Sequence, residues 1–320
     1  MKKCAVILAG GIGDYLLGNR HVPHILKRFN LKNVDLISVG VTENGKEKAG
    51  NFVKESFPSF YDKVIPFIVS NKNFDPSFSY QYNNFNESQK AICDSYDCVF
   101  ELTTDSLLSF SYDFPILKSF YNFPTPKFID KRVFKEKYVL AHFFQREEVG
   151  DYVNVPKETA REIVNILSKE YKVICPIYPG NIEINKKNLE GLDCEFYQCE
   201  LSDLWSLAKY SSICIGVSSS IRLFPAHFGI PSLVICGDEP EFSDKPAFSI
   251  RWGIFANKTF PKKVNPELIC KVATSIINKP EIALFPGIPS EFSDEILFKK
   301  DVKNNNPLYE KFLRFKEKAI

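Results

Sequence analysis

The chain has 320 residues, 41 Lys+Arg against 39 Asp+Glu, a net charge of +2 and 44% apolar residues. This composition excludes a disordered, collagenous or coiled-coil protein and implies about two globular domains. A surplus of two charges does not supply the basic excess that duplex DNA demands, so no nucleic-acid partner is expected and any anion site must be local.

The opening residues, MKKCAVILAGGIGD, imitate a secretory leader, but the apolar run over 4–9 ends in glycines and Asp14 and reads as a first strand. Short β-branched runs over 4–8, 36–39, 64–69 and 98–102 predict strands in the first half. Residues 70–88 are polar, aromatic and aperiodic and predict a long loop. Pro124 and Pro126, followed by the charged stretch KRVFKEK over 131–137, mark an interdomain link. Runs over 138–141, 173–177, 213–215 and 233–236 then continue the strand series. Ala160, Ile163, Val164 and Leu167 form one helical stripe opened by Pro156, and Leu201, Leu204, Trp205 and Ala208 form another opened by Ser202 and Asp203. Strand alternating with helix implies parallel sheets, so the expected fold is α/β with two Rossmann-like domains facing a central cleft. The tail over 307–320 predicts a terminal helix with Leu308, Phe312, Phe315 and Ala319 on one face.

Nine cysteines, an odd number lying mostly in apolar runs without a C-x-x-C, suit buried free thiols in a reducing compartment. No run of about 18 apolar residues occurs, so no membrane-spanning helix is expected. The lysines of the tail allow at most a weak peripheral contact with anionic lipid.

Three constellations carry chemistry. Gly10, Gly11 and Gly13 follow the first strand and permit tight turning beside main-chain amides. The series is incomplete as a dinucleotide fingerprint, because Leu16 occupies the sixth position of G-x-G-x-x-G. Asp14 at that turn faces the crevice beyond the strands, where a carboxylate can act as general base; its plainer role is a helix cap. Ser218, Ser219 and Ser220, with Arg222 in the following turn, offer hydroxyls, amides and a cation to a diphosphate without a metal. Tyr178, Pro179, Gly180, Asn181, Ile182 and Glu183 follow the 173–177 strand, and Glu183 can accept from ribose hydroxyls. His142 and Arg146, after the first strand of the second half, are further candidates for the phosphates. His21 and His24 stand three residues apart, but Pro23 between them and the missing H-E-x-x-H pattern argue for surface or supporting histidines, and no metal site is expected.

In order, these sites resemble the ADP-heptose:lipopolysaccharide heptosyltransferases, inverting glycosyltransferases of family 9 with the GT-B fold. Gly11 to Leu17 resembles the family's amino-terminal G-D-x-L-x motif, with Pro23 and Leu26 following on the first helix. Asn154, Val155 and Pro156 resemble its K-x-W-P segment, and Gly180 with Glu183 its G-x-x-E turn. Residues 208–237 follow its helix, strand, D-S/T-G-x-x-H, helix, G-x-P and strand pattern. Ser218 stands in place of the family's Asp, Ser220 of its Gly, Leu223 of its His, Asn154 of its Lys and Val155 of its Trp; His227 lies one helical turn beyond Leu223.

The resemblance implies an acceptor-binding domain over 1–135, a nucleotide-sugar domain over 136–300, and a helix over 301–320 returning to the first domain. It implies Asp14 as catalytic base, a diphosphate site of Ser218, Ser219, Ser220, Arg222 and Arg146, and a nucleoside site of Gly180 and Glu183. Gly11 and Gly13 form the amino-terminal glycine loop. The implied reaction is metal-independent inverting transfer from a nucleoside-diphosphate sugar, a co-substrate rather than a cofactor, to a glycan or glycolipid acceptor of lipopolysaccharide type. The implied location is the cytoplasm, at the inner face of the membrane. Two alternatives remain open. The run over 6–13 is similar to the L-A-G-G-x-G-T-R-L signature of sugar nucleotidyltransferases, and a degenerate GT-B glycan-binding scaffold would tolerate the altered 218–223 turn.

Overall fold

A computed structural model of the chain describes residues 2–40, 43–69, 81–102, 123–144, 154–177, 183–217, 219–236, 258–261, 265–279 and 314–315. The chain divides into two compact units, Met1–Lys127 with Ser290–Ile320, and Phe128–Pro289. Backbone hydrogen bonds mark the exchange. Lys127 N donates to Ser56 O at 2.7 Å in the first unit. Lys131 N donates to Ser206 Oγ at 3.1 Å, and that hydroxyl donates to Ile129 O at 2.9 Å, in the second. The charged stretch 131–137 lies along the second unit, with Lys172 Nζ 3.1 Å from the Glu136 carboxylate.

The first unit carries β1 (Cys4–Ala9), α1 (Ile12–Asn19), α2 (Val22–Phe29), β2 (Val34–Gly40), α3 (Glu43–Ser56), β3 (Tyr61–Ile68), α4 (Glu87–Asp94) and β4 (Cys98–Glu101). Its described strands form a parallel sheet in the order β3-β2-β1-β4. Every residue of β1 and β2 is buried, as expected of central parallel strands covered on both faces, whereas β3 at the edge alternates irregularly. The apolar segment after Asp14 is two helices rather than one. His21 N donates to Gly18 O, the chain turns, and Pro23 sits in the first turn of α2, where its missing N–H costs nothing.

The predicted 70–88 loop is shorter than expected. Residues 70–80 lie outside the described residues, but Gln81–Asn84 is a 3₁₀ turn, Phe85 packs edge-on to Phe67 at 4.9 Å, and Asn86 caps α4. Of the tail, Arg314 and Phe315 are described: Phe315 is buried with its ring 5.0 Å from Phe29 and 6.2 Å from Phe100.

The second unit carries β5 (Tyr138–His142), α5 (Lys157–Leu167), β6 (Lys172–Ile177), α6 (Glu183–Leu189), β7 (Glu195–Gln198), α7 (Asp203–Tyr210), β8 (Ile213–Val217), α8 (Leu223–Ala226), β9 (Ser232–Cys236), β10 (Lys258–Pro261) and α9 (Pro266–Asn278). Its parallel sheet runs β10-β9-β8-β5-β6-β7. Read from β7 and renumbered within the unit, that is 3-2-1-4-5-6, the doubly wound order of dinucleotide-binding folds, and the first unit repeats its 3-2-1-4 half. Ala160, Ile163, Val164 and Leu167 are all buried, in one cluster with Ile269, Cys270 and Ala273 of α9. In the second stripe Leu204, Trp205 and Ala208 are buried and Leu201 is half-buried; the Trp205 ring lies 4.4 Å from Phe224. No helix among the described residues is long and apolar enough to cross a membrane.

Candidate active site

In a sheet of this order ligands bind beyond the carboxyl ends of the strands, where the winding direction reverses. In the first unit that point lies between β1 and β4, and β1 runs directly into the glycine turn. Gly10 has φ +99°, Gly11 is the N-cap of α1, and Asp14 is its third helical residue. The Gly11 N–H donates to Asp14 Oδ2 at 2.7 Å, so the carboxylate folds back over the turn. A Cβ on Gly10 would stand 2.3 Å from that oxygen. Asp14 thus does cap α1, from inside the helix, and it is half-buried at the switch point. Gly13 follows as the second helical residue and is also half-buried.

Beneath this turn lies a polar cluster that sequence reasoning missed. The Tyr15 hydroxyl shares a 2.7 Å hydrogen bond with Ser38 Oγ, and Tyr61 OH donates to Asn19 Oδ1 at 2.6 Å. All four residues are buried, and burial pushes both phenols above their usual range. The i, i+4 spacing of Tyr15 and Asn19 on α1 was the available signal: it puts both on the sheet-facing side, anchoring the helix that presents Asp14.

His21 is not a surface histidine. It is buried, and Arg20 Nε donates to its Nε2 at 3.1 Å, which occupies the lone pair a metal would need. Burial, then the charges of Arg20 and His24, hold its pKa well below the usual value. Among the described residues no group of three or more His, Cys, Asp or Glu is placed to hold a metal ion.

The second unit has its own reversal between β5 and β8. His142 and Gly216 are register partners there, and a Cβ on Gly216 would fall 1.9 Å from the His142 carbonyl oxygen. His142 is fully buried, which lowers its pKa to about 4. Ser219, extended at φ −125°, caps the 3₁₀ turn Ser220–Arg222. Its Oγ is enclosed and has no hydrogen-bond partner among the described residues. Ser220 is half-buried, and Arg222 is only 3% exposed, with its charge felt by the Cys214 thiol on β8.

The helix expected after these serines is a 3₁₀ turn followed by a single α-turn, Leu223–Ala226, which contains Pro225. The macrodipole there is correspondingly weak, since it sums over aligned peptides. His227, one turn beyond Leu223, is buried edge-on to Trp205 at 4.9 Å. Val155 lies in the core, its N–H donating to Phe143 O at 3.0 Å, and Pro156 caps α5. Glu183 opens α6. Arg146, Gly180 and Ser218 lie outside the described residues.

No family model matches the sequence, and no curated protein matches it. Solved structures do. The structure is similar to that of Escherichia coli ADP-heptose lps heptosyltransferase II, with TM-score 0.59 and 11% identity over 88% of this chain and 100% of that one. A glycosyl transferase family 9 protein from Veillonella parvula aligns with TM-score 0.56 and 10% identity over 87% and 97%. E. coli heptosyltransferase WaaC with ADP aligns with TM-score 0.53 and 13% identity over 88% and 99%. The likeness assigns the fold: this chain has the GT-B fold of the heptosyltransferases, two Rossmann-type units in one polypeptide.

Proposed function

We propose that the chain is a glycosyltransferase that moves a sugar, heptose or a relative, from a nucleoside-diphosphate sugar to a glycan or lipopolysaccharide-type acceptor, with inversion and without a metal ion. The observation that carries this reading is the Asp14 carboxylate, pinned by the Gly11 N–H at the switch point of the first unit. In the proposed reaction Asp14 takes the proton of an acceptor hydroxyl. The hydroxyl oxygen then attacks the anomeric carbon as its bond to the phosphate breaks, and the nucleoside diphosphate departs with the negative charge.

The second unit binds the donor in this scheme. Hydroxyls and amides of Ser218, Ser219 and Ser220 receive the diphosphate with the charges of Arg222 and Arg146, and Gly180 and Glu183 receive the nucleoside. Buried Arg222 acts as a fixed positive charge behind the turn. The complete second Rossmann-type unit favours this reading over sugar nucleotidyl transfer, which has no use for one. The acceptor class places the enzyme at the cytoplasmic face of the membrane, held by no more than peripheral contact.

Thermal-shift measurements with ADP-, GDP-, UDP- and CMP-sugars identify the donor, since a ligand that binds only the native state raises its stability. With that donor, Asp14→Asn should bind as tightly as the parent yet lose about 10²- to 10⁴-fold in turnover. Near-normal turnover by Asp14→Asn removes it as base. Binding of glycan with no nucleotide sugar bound identifies a scaffold instead.

A further inference from the structure

The bond from the Gly11 N–H to the Asp14 carboxylate joins residues three apart, so it moves with the turn that contains it. A second anchorage ties the same helix to the sheet. Tyr15, the residue after Asp14, is fully buried, and its hydroxyl shares a 2.7 Å hydrogen bond with Ser38 Oγ and donates to Val39 O at 3.4 Å, both in β2. One helical turn on, Asn19 Oδ1 accepts from Tyr61 OH, at the start of β3, at 2.6 Å. Side chains of α1 are thus bonded to two strands, and neither is β1, the strand that leads into the helix. We propose, on the reading of Asp14 as base given above, that Tyr15 is a positioning residue for the transfer reaction. Its bond to Ser38 fixes the rotation of α1 about its own axis, and with it the direction in which Asp14 presents its carboxylate.

Apolar packing alone does not give that control. The buried contacts of Leu16 on the same helix are non-directional, whereas a hydrogen bond weakens steeply as its angle departs from linear. The leverage of a small rotation is large. Side-chain tips lie about 5–6 Å from a helix axis, so turning α1 by about 10° carries a carboxylate through about 1 Å. A misplacement of about 1 Å can cost about 10²-fold in rate.

The receiving hydroxyl is itself fixed. Ser38 is fully buried, and a Cβ on Gly50 of α3 would stand 2.8 Å from its Oγ and 2.9 Å from its Cβ. Gly50 therefore lets α3 close over the serine from one side while Tyr15 meets it from α1. Burial also raises the pKa of the Tyr15 phenol, which keeps the proton that this bond shares across neutral pH.

Turnover of two full-length variants tests the assignment: Tyr15→Phe, which keeps the ring and removes the hydroxyl, and Ser38→Ala, which removes its partner. The substrate is whichever of the ADP-, GDP-, UDP- and CMP-sugars raises the melting temperature of the parent, and the readout is nucleoside diphosphate released. Tyr15→Phe should bind that nucleotide sugar as tightly as the parent and turn over about 10- to 10²-fold more slowly. Ser38→Ala should be slowed in the same way, and the double variant should be no slower than the slower single one. In an Asp14→Asn background Tyr15→Phe should cost nothing further, a result that general loosening of the fold would not give. Should Tyr15→Phe fail to fold, Ser38→Ala carries the same comparison. Parental turnover in the variant that folds, weaker donor binding in place of slower turnover, or an undiminished loss in the Asp14→Asn background overturns the role of Tyr15 while a slow Asp14→Asn keeps Asp14 as base. A parent that releases no nucleoside diphosphate overturns the function and the role of Tyr15 together.

Discussion

Gly10 shows how one missing methyl group sets the geometry of the candidate base. Its φ of +99° is a conformation that side chains resist, and the space a Cβ would take is filled by Asp14 Oδ2 at 2.3 Å and Asp14 Cγ at 2.7 Å. Two penalties therefore meet in Gly10→Ala: about 1–2 kcal/mol of backbone strain, and expulsion of the carboxylate from the Gly11 N–H. The second is relieved when the carboxylate is absent, while the 2.9 Å approach to the Asp14 Cβ stays in both backgrounds. Gly10→Ala should cost more in the parent than in Asp14→Ala, with a coupling of about 1 kcal/mol or more across the cycle of urea midpoints. An additive cycle would mean that the carboxylate swings away freely, and Asp14 would then lack the fixed orientation a base requires.

At the scale of the element, α4 shows how a polar turn becomes a defined helix start. Asn86 Oδ1 accepts from Gln89 N at 2.9 Å, Gln89 Oε1 accepts from Asn86 N at 3.0 Å, and Gln89 Nε2 donates to Ile68 O at 2.9 Å, clamping the helix to the end of β3. Asn86→Ala should lower stability by about 1 kcal/mol, and Asn86→Asp should recover most of it, measured by denaturant unfolding. The N-x-x-Q spacing was in the sequence, yet the aromatic and polar residues before it read as one long loop, because composition does not say which Phe is buried. Phe85 is.

The central strands were legible, since buried parallel strands are unbroken β-branched runs. β7 (EFYQ) and β10 (KTFP) were not: edge strands need only one apolar face and tolerate charge and proline. Nor was α3, whose buried residues in the described part are Ala49, Phe52 and Val53 with a few small neighbours, set in a polar sequence containing two glycines. In the candidate site the turns were legible from glycines and serines. The burial of Arg222, His142 and His21 was not, because which face of a turn closes over a side chain is decided by segments distant in sequence.

Taken whole, the molecule carries a specific sensitivity to acid. It has four histidines, and burial lowers the pKa of three: His21 and His24 in the first unit and His142 in the second. A base whose folded pKa is depressed binds its proton more readily in the unfolded chain. Its contribution to stability is therefore complete above pH 6.5 and is lost as the pH falls toward the folded value. For His142 that window runs from 6.5 down to about 4, a loss of about 3 kcal/mol across it.

Both tryptophans, Trp205 and Trp252, belong by sequence to Phe128–Pro289, so tryptophan fluorescence reads the second unit. Urea midpoints read by that signal should fall between pH about 6.5 and about 4.5 in the parent, and the slope should flatten in His142→Gln, which has no proton to bind. Far-ultraviolet circular dichroism, which samples both units, should keep the acid loss contributed by His21 and His24. The slope rather than the level is the readout, since replacing a buried ring shifts stability at every pH. An unchanged fluorescence slope would mean that the fold accommodates a charged His142, and the reversal point between β5 and β8 would then hold a cation rather than a neutral imidazole.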